Sequence, residues 1–284
     1  MDIVTTIKEI RQEPILRSMS VGLVPTMGSL HQGHLALIRR AISENQVVVV
    51  SIFVNPTQFD DTKDLENYPR DLDADLAVLE KEKVDIVYLP LVEEIYPPGF
   101  DTWVDPGRLG TTLEGIARPG HFRGVATVIA KLFNVIRPDR AYFGQKDGQQ
   151  VAVIKHVAMD LNIPVEILVV DTVRESDGLA YSSRNIQLTP QCRIQAGVIY
   201  KSMLGALQLF KEGERSVEKL RAHILETLLN ELEQKQIEYI DIVNADTMDR
   251  LHYAEDPSLI LVAVRFGKTR LIDNLNLTRQ LTLG

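Results

Sequence analysis

The sequence predicts an α/β fold: a parallel sheet with helices on both faces over residues 1–177, then a smaller α+β domain over 178–284. Three observations carry this reading. Short β-branched runs alternate with helix-period stretches through the first two-thirds of the chain, the signature of a Rossmann-like sheet. The longest apolar run, around Val47 to Val54, has the composition of a strand covered on both faces. After about Gly178 the alternation stops, and two helical stretches are followed by strands alone.

The elements follow in order. Val21 to Pro25 is a short apolar strand, and a glycine turn leads from it into a helix marked by Leu35, Ile38 and Ile42. Val47 to Val54 is the second strand. A polar loop, a helix near Leu72 to Lys81 and a third strand at Val84 to Leu89 come next. Helical spacing returns at Val125, Ile129, Leu132 and Ile136, and Pro138 stops it. A strand at Ala141 to Phe143 passes through a glycine into a helix carrying Val151, Ile154, Ala158 and Leu161, and Val165 to Val173 reads as a further strand. Beyond Gly178, helices carry Ile199, Met203, Leu207 and Phe210, then Val217, Leu220, Ile224 and Leu228, with a turn at Gly213 between them. Strands near Ile237–Val243, Leu259–Val264 and Arg270–Asp273 complete the pattern.

Composition bounds the function. With 31 Lys and Arg against 39 Asp and Glu, the net charge of −8 and the lack of a basic block argue against a nucleic-acid partner. The single cysteine, Cys192, rules out an intrachain disulfide and a cysteine-built zinc site. No basic segment followed by an apolar stretch opens the chain, and no apolar run approaches the roughly 18–20 residues of a membrane helix, so a cytoplasmic protein with no membrane partner is expected.

Four stretches can carry chemistry. The sharpest is Pro25-Thr26-Met27-Gly28-Ser29-Leu30-His31-Gln32-Gly33-His34, set where the first strand gives way to a helix. Helix N-terminal amides favour phosphate there, and His31 and His34, three apart, share one helical face. Two surface histidines, or a zinc pair lacking a third ligand, are the competing readings. Gly144-Gln145-Lys146-Asp147-Gly148-Gln149-Gln150 is a second strand–helix junction, where Lys146 can reach phosphate and the glutamine amides can meet a small polar substrate. Tyr181-Ser182-Ser183-Arg184 offers hydroxyls and a guanidinium suited to a triphosphate. Phe53-Val54-Asn55-Pro56-Thr57-Gln58-Phe59 places Asn55 and Gln58 at a strand end, where they can bind a hydroxy acid. Each of the last three also reads as an ordinary polar turn.

Taken together, Pro-Thr-Met-Gly-x-Leu-His-x-Gly-His, Phe-Val-Asn-Pro-x-Gln-Phe, Tyr68-Pro69-Arg70, Arg118-Pro119-Gly120-His121-Phe122-Arg123-Gly124-Val125 and Tyr142-Phe143-Gly144-Gln145-Lys146-Asp147 resemble the pantothenate synthetase (pantoate–β-alanine ligase) family. The histidine motif alone is shared by a wider nucleotidyltransferase superfamily, while the combination is specific.

The resemblance implies that pantoate attacks the α-phosphorus of Mg-ATP to give pantoyl adenylate, which β-alanine then cleaves to pantothenate and AMP. It implies an ATP site of Met27, Gly28, Ser29, Leu30, His31, Gln32, Gly33 and His34, completed by Gly144, Gln145, Lys146, Asp147, Val173, Tyr181, Ser182, Ser183 and Arg184. His34 would be the proton donor, and Gln58 and Gln150 would hold pantoate, Gln58 lying near β-alanine. It also implies a homodimer. Where the family usually has Met before Ser-Ser-Arg, this chain has Tyr181. Adenylyl transfer needs phosphate charge neutralised more than it needs a protein nucleophile, which gives His31, His34 and Lys146 their catalytic roles. Asp75 is read either as an Mg²⁺ neighbour or as a solvated helix residue. The competing functions are another adenylyl- or cytidylyltransferase and a nucleotide-binding module without turnover. A dinucleotide oxidoreductase is disfavoured because the first strand–helix junction lacks Gly-x-Gly-x-x-Gly.

Overall fold

The computed structural model describes residues 1–278 and divides into two compact units. The first joins Met1–Gly144 with Val153–Asp171. Its strands are β1 (Asp2–Val4), β2 (Val21–Thr26), β3 (Val47–Ile52), β4 (Ile86–Tyr88), β5 (Arg140–Gly144) and β6 (Glu166–Val170), in the spatial order β1-β4-β3-β2-β5-β6. Every neighbouring pair is parallel. The β1 strand, three residues at the sheet edge, is too short to leave a periodic signal in the sequence.

Helices α1 (Gln32–Glu44), α2 (Leu72–Lys81) and α3 (His121–Ile136) belong to this unit. Leu35, Ile38 and Ala41 of α1 and Leu79 of α2 pack with Val24, Val48, Val50 and Val87 of the sheet. That core accounts for the apolar alternation in the sequence. Helix α3 buries Phe122, Val125, Ile129, Leu132, Phe133 and Ile136 and ends at Arg137, in the left-handed region at φ 56°, just ahead of Pro138. A residue before proline is disfavoured in the α region, which terminates the helix where the sequence predicted.

The strand order reverses at β2. From β2 the chain moves outward through β3 and β4, then returns to pair β5 on the other side. Open parallel sheets bind ligands beyond the carboxyl ends of the strands at such a switch point. The Pro25–His34 motif leaves β2 there, and Gly144 ends β5.

The second unit joins Gln145–Ala152 with the chain from Thr172 onward. Helix α4 (Gly148–Asp160) begins among its residues and continues among those of the first. Strands β7 (Ile237–Asn244), β8 (Ser258–Phe266) and β9 (Thr269–Asn276) form an antiparallel sheet. Helices α5 (Val198–Lys211) and α6 (Val217–Leu229) cover it, with Ile199, Met203, Leu207, Leu220, Ile224 and Leu228 packed on Ile240, Ile242, Ile260, Val262 and Val264.

The sequence placed the boundary at 177/178; the units divide at 171/172, with 145–152 joining the second. A side chain explains the excursion. Asn274 on β9 donates to the carbonyls of Gln145 (2.8 Å) and Lys146 (2.7 Å), and its own carbonyl accepts from Gln145 Nε2 (3.0 Å). No helix among the described residues is long and apolar enough to cross a membrane.

Candidate active site

The loop after β2 is held open from within. Thr26 Oγ1 donates to the Ser51 carbonyl and accepts from the Gly28 amide. The chain then takes two left-handed residues, Gly28 at φ 80° and Ser29 at φ 53°. A Cβ on Gly28 would lie 2.9 Å from Asp75 Oδ2, so glycine answers both the dihedral and the space. Asp75 is 4% exposed, and its two carboxylate oxygens accept from the amides of Ser29 and Leu30, at 2.8 Å each. It is not the solvated helix residue the sequence allowed. With each oxygen accepting a backbone amide, it braces the loop.

His31 then caps α1. Its Nδ1 accepts from the Gly33 amide at 3.2 Å, while His34 Nδ1 accepts from the His31 amide at 3.3 Å, a reciprocal capping box built from two imidazoles. The rings sit 4.1 Å apart, inclined by 33°. Because each Nδ1 is an acceptor, the neutral ring carries its proton on Nε2. Two N–H donors are thereby added to the amides and positive dipole end of a 13-residue helix. Such a cluster suits an anion.

The strand-end stretch after β3 supplies the polar counterpart. Asn55, 1% exposed, donates from Nδ2 to Gln58 Oε1 (3.0 Å) and to the Gly124 carbonyl (3.2 Å). Its Oδ1 accepts from the hydroxyls of Thr57 and Tyr96, 2.9 Å each, and from the Thr57 amide at 3.4 Å. Every polar atom of the Asn55 side chain is committed inside the protein. Through Nδ2 it holds the side-chain oxygen of Gln58, the other residue of this stretch expected to meet a hydroxy acid. Gln58 Nε2 lies 3.1 Å from Met27 Sδ, so the Gln58 amide touches the loop after β2.

The Arg118–Val125 motif anchors the same turn from α3. His121 Nδ1 donates to the main-chain carbonyl of Gln58 at 2.8 Å, and Arg118 donates to it at 3.2 Å. A Cβ on Gly124 would meet the Thr57 carbonyl at 2.4 Å, so only glycine lets α3 approach this closely.

In the second unit, Gln145–Asp147 forms a 3₁₀ turn leading into α4, with Lys146 Nζ 3.4 Å from Asp147. Ser182 caps the turn Ser183–Gln187 by accepting from the Arg184 amide at 3.3 Å. The preceding segment is pinned by Arg193, which pairs Glu175 at 2.7 Å and also Asp177. The Tyr181 amide donates to the Val173 carbonyl at 3.0 Å, a main-chain bond that does not depend on the Tyr181 side chain. Lys146, Ser182, Arg184, Asn185 and Arg270 line one recess of this unit. Three phosphate donors expected from separated stretches thus share a wall.

The family model described as Pantoate-beta-alanine ligase matches residues 2–276. This chain belongs to that family. A pantothenate synthetase of Roseiflexus castenholzii is 51% identical over 274 residues, spanning 96% of this chain and 98% of the relative. The crystal structure of pantothenate synthetase from Thermus thermophilus superposes with a TM-score of 0.92 at 45% identity, covering 98% of this chain and 99% of that one. A pantoate-β-alanine ligase from Francisella tularensis, solved with β-γ ATP and β-alanine, gives 0.79 at 35% identity, covering 98% of both chains.

The pantoate-β-alanine ligase motifs read from the sequence divide between the two units. Met27 to His34, Asn55, Gln58, Asp75 and Gly144 lie in the first; Gln145 to Asp147, Gln150, Val173 and Tyr181 to Arg184 lie in the second. Sequence reasoning missed the bracing role of Asp75 and the parts played by Tyr96, His121 and Asn274. For His121 a signal existed, because its motif belonged to the ligase resemblance. Tyr96 and Asn274 stand in stretches with no distinguishing pattern.

Proposed function

We propose that this chain condenses pantoate with β-alanine at the expense of ATP, passing through pantoyl adenylate and releasing AMP and pyrophosphate. The observation that carries the reading is the contact between Gln58 and Met27, which sets an amide able to read a hydroxy acid against a loop built to hold phosphate. A carboxylate oxygen of pantoate attacks the α-phosphorus, and the bond to the bridging oxygen of the β-phosphate breaks. The β-alanine nitrogen then attacks the acyl carbon, the carbon–oxygen bond to phosphorus breaks, and AMP leaves with that oxygen as the nitrogen loses its proton to solvent.

In this reading His31 and His34 direct Nε2–H at the charge that develops on phosphate, and the α1 amides add to it. No protein nucleophile is needed. Lys146, Ser182, Ser183 and Arg184 are proposed for the rest of the triphosphate, with Gly144, Gln145, Asp147, Val173 and Tyr181 around the nucleotide. Gln58 and Gln150 are proposed for pantoate. Mg²⁺ belongs to the proposal as the cation that ATP carries: it binds through substrate phosphates with few protein carboxylates, and no group of three His, Cys, Asp or Glu forms a cage among the described residues. A cytoplasmic location, expected from the sequence, and a homodimer, implied by the resemblance, complete the reading.

The test is isotopic. With ¹⁸O in the pantoate carboxylate, AMP should carry one label and should form only when both acids are present. Unlabelled AMP, or ADP as product, overturns the adenylate route.

A further inference from the structure

The Asn55 side chain is a junction whose orientation decides what Gln58 can offer. Its Nδ2 faces two acceptors, Gly124 O and Gln58 Oε1; a flipped amide would set oxygen against oxygen at both. Because Gln58 Oε1 is held by that N–H, the end of the Gln58 amide left for a ligand is Nε2, a donor matched to a carboxylate or hydroxyl oxygen. The quality of this arrangement depends on how firmly Asn55 Oδ1 is held. The Thr57 amide lies at 3.4 Å, beyond the range of a good N–H bond, whereas the two hydroxyls lie at 2.9 Å.

Both hydroxyls come from unremarked places. Thr57 fills the one position that Phe-Val-Asn-Pro-x-Gln-Phe leaves open. Tyr96 stands 41 residues along the chain from Asn55. Its ring is wedged among Phe53 (6.2 Å), Phe100 (5.0 Å) and Trp103 (6.5 Å), with Lys131 Nζ 5.8 Å from the ring centre. The two hydroxyls also touch each other, at 3.1 Å. Burial pushes the Tyr96 hydroxyl above its ordinary range, which keeps it a neutral donor.

We propose that Thr57 and Tyr96 are positioning residues for pantoate: together they fix Asn55, and Asn55 presents Gln58 with its N–H donor toward the acid. The inference rests on the reading of Gln58 as a pantoate contact. Removing one hydroxyl leaves Asn55 with the other; removing both leaves only the long amide bond, and Gln58 can then turn its oxygen toward a carboxylate it should attract.

The experiment measures KM for pantoate and for ATP, kcat, and melting temperature on the full chain. Tyr96→Phe and Thr57→Val should each raise the pantoate KM about threefold, and the double variant about tenfold or more, as expected for hydrogen bonds of ordinary strength. The KM for ATP should hold, while the double variant, which leaves the buried Asn55 oxygen short of partners, should melt lower. Thr57→Ser in the Tyr96→Phe background keeps a hydroxyl and should restore the pantoate KM to the single-variant level. A double variant with unchanged pantoate KM, or one in which the KM for ATP rises as much as that for pantoate, overturns the proposal. Gln58→Glu separates the two layers, since it removes the donor itself. If Gln58→Glu raises the pantoate KM and the double variant does not, the relay fails while the substrate reading stands. If Gln58→Glu has no effect, pantoate is not read at Gln58 and both fail.

Discussion

His34 performs two jobs through two ring nitrogens, and single substitutions can separate them. Its Nδ1 accepts the His31 amide at 3.3 Å and so closes the capping box, while Nε2 is the donor proposed for phosphate. Asparagine places an oxygen where Nδ1 stands and nothing where Nε2 stands. Glutamine reaches the Nε2 position with an N–H and abandons the cap. His34→Asn should therefore melt near the wild-type temperature yet lose pyrophosphate release by a factor of roughly 10²–10³, about 2.7–4 kcal/mol of transition-state stabilisation. His34→Gln should lose stability by about 0.5–2 kcal/mol, the worth of an N-terminal cap, and keep the larger part of the rate. The assay is pantoate-dependent pyrophosphate release alongside a thermal melt, with amine transfer from supplied pantoyl adenylate as a third readout. That second half-reaction should suffer less, because the phosphate charge only has to depart. If His34→Asn releases pyrophosphate at the wild-type rate, Nε2 is not the donor. If both variants lose rate in proportion to their loss of stability, His34 serves the fold alone.

Asp75→Ala strips the acceptors from two loop amides beside two left-handed residues; at about 1–3 kcal/mol per unsatisfied buried group it should lower the melting temperature and raise the KM for ATP more than that for pantoate, and an unchanged melt would remove the bracing role. Gln150→Ala should raise the pantoate requirement well above its effect on ATP, and equal weakening of both would assign the residue to the fold or the nucleotide. The Arg193 hydrogen bond holds the Asp177 carboxyl below the usual carboxylate range. Its stabilisation is therefore complete above the ordinary carboxylate value near pH ~4 and fades as pH falls through the lowered one. The melting-temperature gap between wild type and Arg193→Met should close in that acid window, and a gap independent of pH would refute the pairing.

Much of this protein was legible because its signals are local. A β-branched run such as Val47–Val54 states its own burial, and helix-period spacing ended by Pro138 states where α3 stops. The strand–glycine–helix setting of Gly28 and the three-residue spacing of His31 and His34 likewise mark a helix start with two histidines on one face, with no reference to distant residues. The ligase family was readable for the same reason, since its motifs are contiguous and ordered along the chain.

What the sequence left open are roles assigned by partners far apart in the chain. Asp75 has the composition of a solvated helix residue, and it becomes a buried brace only because α2 carries it to the amides of Ser29 and Leu30, 46 and 45 residues away. Asn55 reads as a polar residue at a strand end, and only the fold brings Tyr96 and Gly124, 41 and 69 residues away, to its amide. The excursion of 145–152 has the same physical reason: Asn274 hydrogen-bonds the carbonyls of Gln145 and Lys146, 129 and 128 residues away, and ties that short segment to the second unit. A buried polar group must find a partner wherever the fold supplies one. Periodicity therefore decided the elements and the motifs, and tertiary structure decided which polar side chains remain available to a substrate.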